Sequence, residues 1–403
     1  MKKKILALLL AAVMVLPLVA CGGNGGNSEN KGSENKGTEV EGTEDGSEDK
    51  GGIALDKSWP EETIKIGIVG YDSTNEQQME VQAYFEYMAE YYNIEIMVSE
   101  NLADAEGELN FIANCAAAGC KGIVAYYNVA LEEAAKACAE YGMFYWGGFG
   151  GDMEAYEAVK DNEYYLGGYT LGDAEYNAGV SMAEALIAQG CEKIVFCSGG
   201  AAFGIPMFID RKAGFVDTIN KAKEEGKNVE IVYEIEGWPG TDAFVAAQTT
   251  AIGMDIDAIA CTFDSAMWFQ VVMDAEKQDT VSLACVGSVS DMYKGFVNSG
   301  LVTCIVYDNV DVTFGNAIPM ILNAVDGHKL VNADGSAPLF GVQRWTVTSA
   351  DQFNAIYDLY DGGGYVITAE DIANLIIANN PDMTTEKFGE FYGNFTLESF
   401  LNK

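Results

Sequence analysis

From Thr63 onward, short runs that are apolar throughout alternate with stretches of helical spacing, and the series is completed twice. The first series places strands at 64–70, 94–98, 122–126 and 143–146. Helical stretches lie between them at 76–92, 109–118 and 131–141, the first with Met79, Phe85, Met88 and Tyr92 at its apolar positions. The second series begins with a helix at 178–189 and places strands at 193–197, 229–233, 257–261 and 281–286, separated by helices at 208–225, 242–252 and 266–277. A continuous apolar run suits a strand covered on both faces, and helices between such strands supply the cover. Two series in tandem predict an α/β chain with two doubly wound parallel-sheet lobes. The body of about 350 residues exceeds a usual single core, which agrees. Ligands of such sheets sit beyond the carboxyl ends of the strands. In a two-lobed chain those edges face each other across a cleft, so functional residues are to be sought just after each strand. Tyr71, Asp72, Asn75, Tyr127, Asn128, Tyr307, Asp308 and Asn309 occupy such positions.

Composition narrows the function. With 61 acidic against 23 basic residues, the formal charge is −38, which argues against nucleic acid as a partner and suits a soluble surface. His328 is the only histidine, so histidine triads and histidine-rich zinc sites are nearly excluded, and there is no CxxC pair for a thiolate metal site. No metal, cofactor or catalytic residue is expected. Eight cysteines follow Cys21: Cys115, Cys120, Cys138, Cys191, Cys197, Cys261, Cys285 and Cys304. Four of them sit inside apolar strand-like runs, where cysteine behaves as a small hydrophobe. Mostly free, buried thiols are expected, as would suit export from a cell living without oxygen.

The amino-terminal segment addresses location. Lys2, Lys3 and Lys4 precede an apolar run at 5–16, and Leu18-Val19-Ala20-Cys21 closes it. The run is shorter than the roughly twenty residues a spanning helix needs, so it reads as a signal peptide. Leu-Val-Ala-Cys resembles a bacterial lipobox, which implies cleavage before Cys21 and lipidation of its thiol. Residues 22–52 hold no aromatic residue and are almost wholly Gly, Asn, Ser, Glu, Thr, Asp and Lys. Such a stretch buries too little apolar area to offset ordering entropy, so a tether is expected. The whole predicts an outward-facing, lipid-anchored protein, in keeping with an anaerobic Gram-positive bacterium.

Several ordered motifs carry a family resemblance. The first strand at 64–70 is followed by the polar-aromatic loop Tyr71-Asp72-Ser73-Thr74-Asn75; Gly119-Cys120-Lys121-Gly122-Ile123-Val124 leads into the third strand; Arg211-Lys212-Ala213-Gly214-Phe215 and Asp257-Ala258-Ile259-Ala260 with Phe263-Asp264 follow in order. Over roughly 63–348 the chain resembles type I periplasmic binding proteins, the solute receptors of ABC importers, in their sugar-binding, ribose-binding-like branch. The resemblance implies a three-segment hinge near Asp173, 306–315 and Pro338. The implied organisation is a signal peptide (1–20), tether (21–60), first lobe (61–173 with 309–337), second lobe (174–308 with 338–349) and a helical extension (350–403) that packs on a lobe. It further implies a monomer that delivers a sugar-like molecule to an ABC transporter permease.

The resemblance also assigns residues. Arg211 falls on the ligand-gripping arginine, Trp238 on a stacking aromatic and Asp264 on the acid of an Asn-Asp pair whose Asn is Phe263 here. Ser288 stands where an Asp is usual, Phe149 lies in a loop that often carries Asp, and Glu175 lies in a partly kept Asp-Asn crossover. These departures remove acceptors that a hexose needs, so the ligand is expected to be less hydroxylated, or other groups substitute. Each position has a plainer reading. Arg211 suits a helix start, Trp238 a lobe cover, and Asp264 a cap on the following helix. Tyr84, Phe85, Tyr87, Tyr91 and Tyr92 read as helix packing. The loop 199–204 lacks the Gly-Lys-Ser/Thr ending of a phosphate loop. Alternative functions are a nucleoside-binding lipoprotein and a ligand sensor for a membrane signalling kinase. A surface hydrolase is disfavoured, because the paired carboxylates fall away from strand ends and no G-x-S-x-G occurs.

Overall fold

The computed structural model describes residues 57, 59–70, 73, 76–125, 130–147, 153–341 and 344–402. At the far end of the tether Trp59 and Pro60 accept from Asn93 of the first lobe at 2.9 Å each, while the signal segment, Cys21 and the tether up to residue 56 lie outside the described residues. Among these residues no helix is long and apolar enough to cross a membrane.

Five strands open the first lobe: β1 (Ile64–Val69), β2 (Ile94–Val98), β3 (Gly122–Ala125), β4 (Phe144–Gly147) and β5 (Tyr165–Thr170). Five more form the second: β6 (Lys193–Gly199), β7 (Glu230–Glu236), β8 (Ala258–Cys261), β9 (Ser282–Gly287) and β10 (Val302–Tyr307). Two late strands, β11 (Leu339–Gly341) and β12 (Trp345–Val347), then add one strand to each sheet. The orders are β11-β5-β4-β3-β1-β2 and β12-β10-β9-β8-β6-β7. All neighbours run parallel except β12, which is antiparallel to β10 with Ile305 opposite Val347. This is the doubly wound α/β architecture the apolar periodicity predicts. Strands β3 and β8 are buried at every residue, as continuous apolar runs require.

The chain passes between the sheets after β5, after β10 and between β11 and β12. The first two crossovers match the expected hinge segments. The third differs: Leu339–Gly341 pairs with β5 in the first sheet, so the passage lies beyond Gly341 and not at Pro338. The helix Met153–Val159 was not expected, nor was strand β5, whose apolar run Gly167 and Gly168 interrupt. The stretch 266–277 is a short 3-10 turn, Ala266–Trp268, followed by the helix Phe269–Asp274.

All eight described cysteines are free and buried. Burial pushes the Cys285 thiol up to about 12 and that of Cys191 to about 11, so both stay protonated at neutral pH. Tyr84 and Phe85 are fully buried in the core, as the helix-packing reading expects.

The carboxy-terminal segment does more than pack on one lobe. The helix Ala350–Asp361 lies on the second lobe, where Asn354 donates to Asn298 at 2.9 Å and Tyr357 donates to Asp291 at 2.5 Å. The chain then crosses to the first lobe. There Tyr84 donates to the Ile367 carbonyl at 3.2 Å, Tyr92 to that of Ala369 at 2.6 Å, and Asn323 to that of Leu375 at 3.0 Å. A Thr368–Asp371 capping box starts the helix Ala369–Leu375. Further on, Phe388 packs on Phe340 of β11 and Phe400 stacks on Trp345 of β12, so both late strands are covered.

Candidate ligand-binding cleft

Two glycines set the geometry of the second lobe's cleft edge. The helices Ala174–Ala188 and Pro206–Glu224 cross where Gly179 meets Gly214. A Cβ on Gly179 would stand 2.0 Å from the Arg211 carbonyl, and one on Gly214 would stand 1.9 Å from that of Tyr176. Only glycine permits this approach, and it brings the start of one helix against the start of the other.

The result is a buried ion cluster. Arg211 Nε donates to Glu175 Oε2 at 2.5 Å, and its Nη1 donates to the Thr262 carbonyl, just past β8, at 2.6 Å. Arg344 grips the same carboxylate in two places, Nη1 to Oε2 at 2.8 Å and Nη2 to Oε1 at 2.9 Å. Its Nη2 also lies 3.9 Å from Asp308 Oδ2. Asp308 accepts from Thr313 at 3.0 Å and from Gln77, on the first helix of the first lobe, at 3.4 Å. Glu175 follows the first crossover, Asp308 lies in the second and Arg344 in the third, so the cluster ties the hinge together. Burial alone would raise the Glu175 carboxyl, but the guanidiniums of Arg211 and Arg344 outweigh it and hold the group below the usual range. Burial and the like charge of Arg344 lower Arg211, with Glu175 opposing. Asp308 and Glu175 raise Arg344 against its burial. Both guanidiniums remain charged at any ordinary pH.

Beside this cluster lies an aromatic floor. Trp238 follows β7 and meets Phe208 edge-on at 5.1 Å, with Phe203 stacked at 6.4 Å and Phe263 at 6.5 Å. The Arg211 guanidinium lies 5.5 Å from the Phe208 ring centre. The floor is graded: Phe208 is 7% exposed, Trp238 and Phe263 are half-buried and Phe203 is 51% exposed. The glycine turn after β6 seats these rings. A Cβ on Gly199 would reach within 2.9 Å of Phe208, and one on Gly200 within 2.9 Å of Trp238. Those glycines therefore serve ring packing, in keeping with the absence of a phosphate-loop ending.

The other candidates divide. Asp264 Oδ1 accepts from the Ala266 amide at 2.7 Å, a local turn bond just ahead of Ser265, which holds the cap position of the 3-10 turn. Ser288 donates to Ser290 at 3.2 Å. Tyr307 is 3% exposed and edge-on to Trp345, and burial pushes its phenol well up. Asn309 caps the helix Val310–Phe314 through the Val312 amide at 3.1 Å. Tyr71, Asp72, Asn75, Tyr127, Asn128 and Phe149 lie outside the described residues, so the described face of the cleft is the second lobe's. The sequence reading missed Arg344, Phe203, Phe208 and Thr262. Arg344 carried a signal, because Arg211 and Arg344 are the only arginines in the chain. A depression of about 480 Å³ bordered by Trp59, Lys121, Phe144 and Asp326 lies at the amino ends of the first sheet's strands, away from the cleft.

Comparison with known proteins supports the architecture. No family model matches the chain, and no curated protein does. Solved structures do. An ABC transporter solute binding protein from Bradyrhizobium sp., with bound bis-tris, aligns at a TM-score of 0.58 and 11% identity, covering 73% of this chain and 84% of its own. An ABC transporter periplasmic solute binding protein from Actinobacillus succinogenes, with bound D-allose, aligns at 0.56 and 16% identity, covering 72% and 99%. A solute binding protein from Bacillus halodurans, with bound myo-inositol, aligns at 0.53 and 15% identity, covering 73% and 98%. The chain therefore has the type I periplasmic binding protein fold, the one shared by these solute-binding proteins of ABC transporters.

Proposed function

We propose that this chain is an extracytoplasmic solute-binding lipoprotein that captures a small molecule, a sugar or sugar derivative, between its lobes for an ABC importer. The observation that carries this reading is the aromatic floor of Trp238, Phe263 and Phe203 beside Arg211 at the carboxyl edge of the second sheet. An aromatic face accepts the C–H face of a pyranose, and a guanidinium binds hydroxyl or acidic groups at its rim. The loops holding Tyr71, Asp72, Asn75, Tyr127 and Phe149 would supply the opposite wall, with Asp264, Ser288, Tyr307 and Asp308 around the edge. Binding would proceed by hinge closure over the solute without chemistry on it. The floor is rich in rings and poor in acceptors, which also suits the base of a nucleoside, and this is the second reading.

A thermal-shift screen of the purified chain against sugars, sugar acids, polyols and nucleosides tests the proposal. A saturable rise with one chemical class is expected, and a folded protein that responds to none contradicts it. The anchor is separable: Cys21→Ser should release the protein or leave it uncut while the purified body binds as before. Loss of binding in that variant would contradict the division between anchor and receptor.

A further inference from the structure

A second, smaller cavity of about 190 Å³ lies where the hinge, both lobes and the carboxy-terminal segment meet. Glu80 comes from the first lobe, Val289 from the second, Tyr307 and Asp311 from either side of the second crossover, and Tyr360 and Tyr365 from the carboxy-terminal segment. Three tyrosines and two carboxylates thus border one small space. Asp311 is 1% exposed. Its oxygens accept from the Tyr360 hydroxyl at 2.6 Å and from the Ile367 amide at 2.9 Å, both neutral donors. Among the described residues no lysine or arginine forms an ion pair with it, in contrast to Glu175. A buried carboxylate is costly unless it meets a positive charge. Burial pushes the Asp311 carboxyl up despite its hydrogen bonds.

We propose that this cavity is a second binding site that takes a small organic ammonium ion as the counter-charge of Asp311. Tyrosine rings around a small space favour a weakly hydrated cation, as aromatic cages do. A hard metal ion fits poorly, since it requires many oxygen ligands and the described residues contain no cluster of three or more metal-ligating side chains. The volume is ample for an ion of a few heavy atoms, because one water needs only about 10–15 Å³. An occupant touching both lobes and the hinge would also shift the balance between open and closed forms by its preference for one of them. The site is additional to the proposed cleft function and does not depend on the identity of the cleft ligand.

The test uses the full chain and titrates tetramethylammonium, choline and ammonium chlorides by calorimetry and thermal shift, with sodium chloride at matched ionic strength as the control. The expected result is saturable binding of one quaternary ion per chain beyond the sodium control. Tyr365→Ala should weaken it at least tenfold, Tyr365→Phe should retain it, and Glu80→Gln, which keeps its shape, should weaken it at least threefold. Circular dichroism confirms that each variant is folded. No saturable response beyond sodium, or equal affinity in folded Tyr365→Ala and Glu80→Gln, would overturn the proposal. Sugar and nucleoside titrations run in parallel: intact cleft binding with no ammonium response overturns the second site alone, and the reverse pattern overturns only the cleft reading.

Discussion

The hinge holds two buried carboxylates in neighbouring regions, and they are accommodated in opposite ways. Glu175, where the first crossover meets the second lobe, lies between two guanidiniums and is held below the usual range. Asp311, where the second crossover meets the carboxy-terminal segment, accepts from the Tyr360 phenol and from backbone amides and is pushed above it by burial. The first arrangement joins the three crossovers by charge. The second joins the hinge to the added segment by neutral hydrogen bonds and leaves a negative group beside a cavity. A buried charge can thus serve as a structural knot or as a waiting site, and its partners decide which.

The largest effect should come from Glu175→Gln, which leaves Arg211 and Arg344 buried without their shared counter-charge. Breaking a buried pair in this way costs about 3–5 kcal/mol, read as a fall in unfolding free energy in urea. A loss under about 1 kcal/mol would show that the cluster is well solvated in solution and would break the comparison. Asp311→Asn should cost less, about 1–3 kcal/mol, because neutral donors lose one acceptor. Its effect should concentrate in faster proteolysis of residues 350–402.

The pH profiles of these two variants should run in opposite senses. Glu175 has a depressed folded pKa, so its contribution is full above the unfolded carboxyl value and is lost as pH falls through the folded one. The advantage of the native chain over Glu175→Gln should therefore shrink in acid. Asp311 has a raised folded pKa, so its penalty is absent below the unfolded value and sets in as pH rises through the folded one. The advantage of the native chain over Asp311→Asn should therefore shrink as pH rises. Parallel slopes in chemical denaturation between pH 3 and 7, a range chosen around the ordinary carboxylate values of about 4, would contradict the contrast. The smallest effect belongs to Asp308→Asn. Its carboxylate is 22% exposed and 3.9 Å from Arg344, and a loss below about 1 kcal/mol is expected.

Much of the fold was legible because buried parallel strands are apolar at every position, as β3 and β8 show. Where that rule is diluted, reading fails: β5 was missed because Gly167 and Gly168 stand in its middle, and β11 because a three-residue strand carries no periodicity. The candidate site was half legible. Arg211 and Trp238 sit just past or beside strand ends, where topology says to look. Phe203 and Phe208 carry no such mark, since a phenylalanine that floors a cleft has the same local pattern as one that fills a core. Arg344 pairs with Glu175 across 169 positions, a distance no local pattern spans. Its rarity was the available clue, and with only two arginines in the chain, convergence on one carboxylate had few alternatives.

The central claim is that the aromatic floor beside Arg211 binds a solute. Isothermal titration of the purified chain with the best ligand from the screen, repeated on Trp238→Ala, tests it most directly. One solute per chain is expected, and removing the ring should weaken binding about tenfold or more, roughly 1.4 kcal/mol. Unchanged affinity in a folded Trp238→Ala protein would contradict the account.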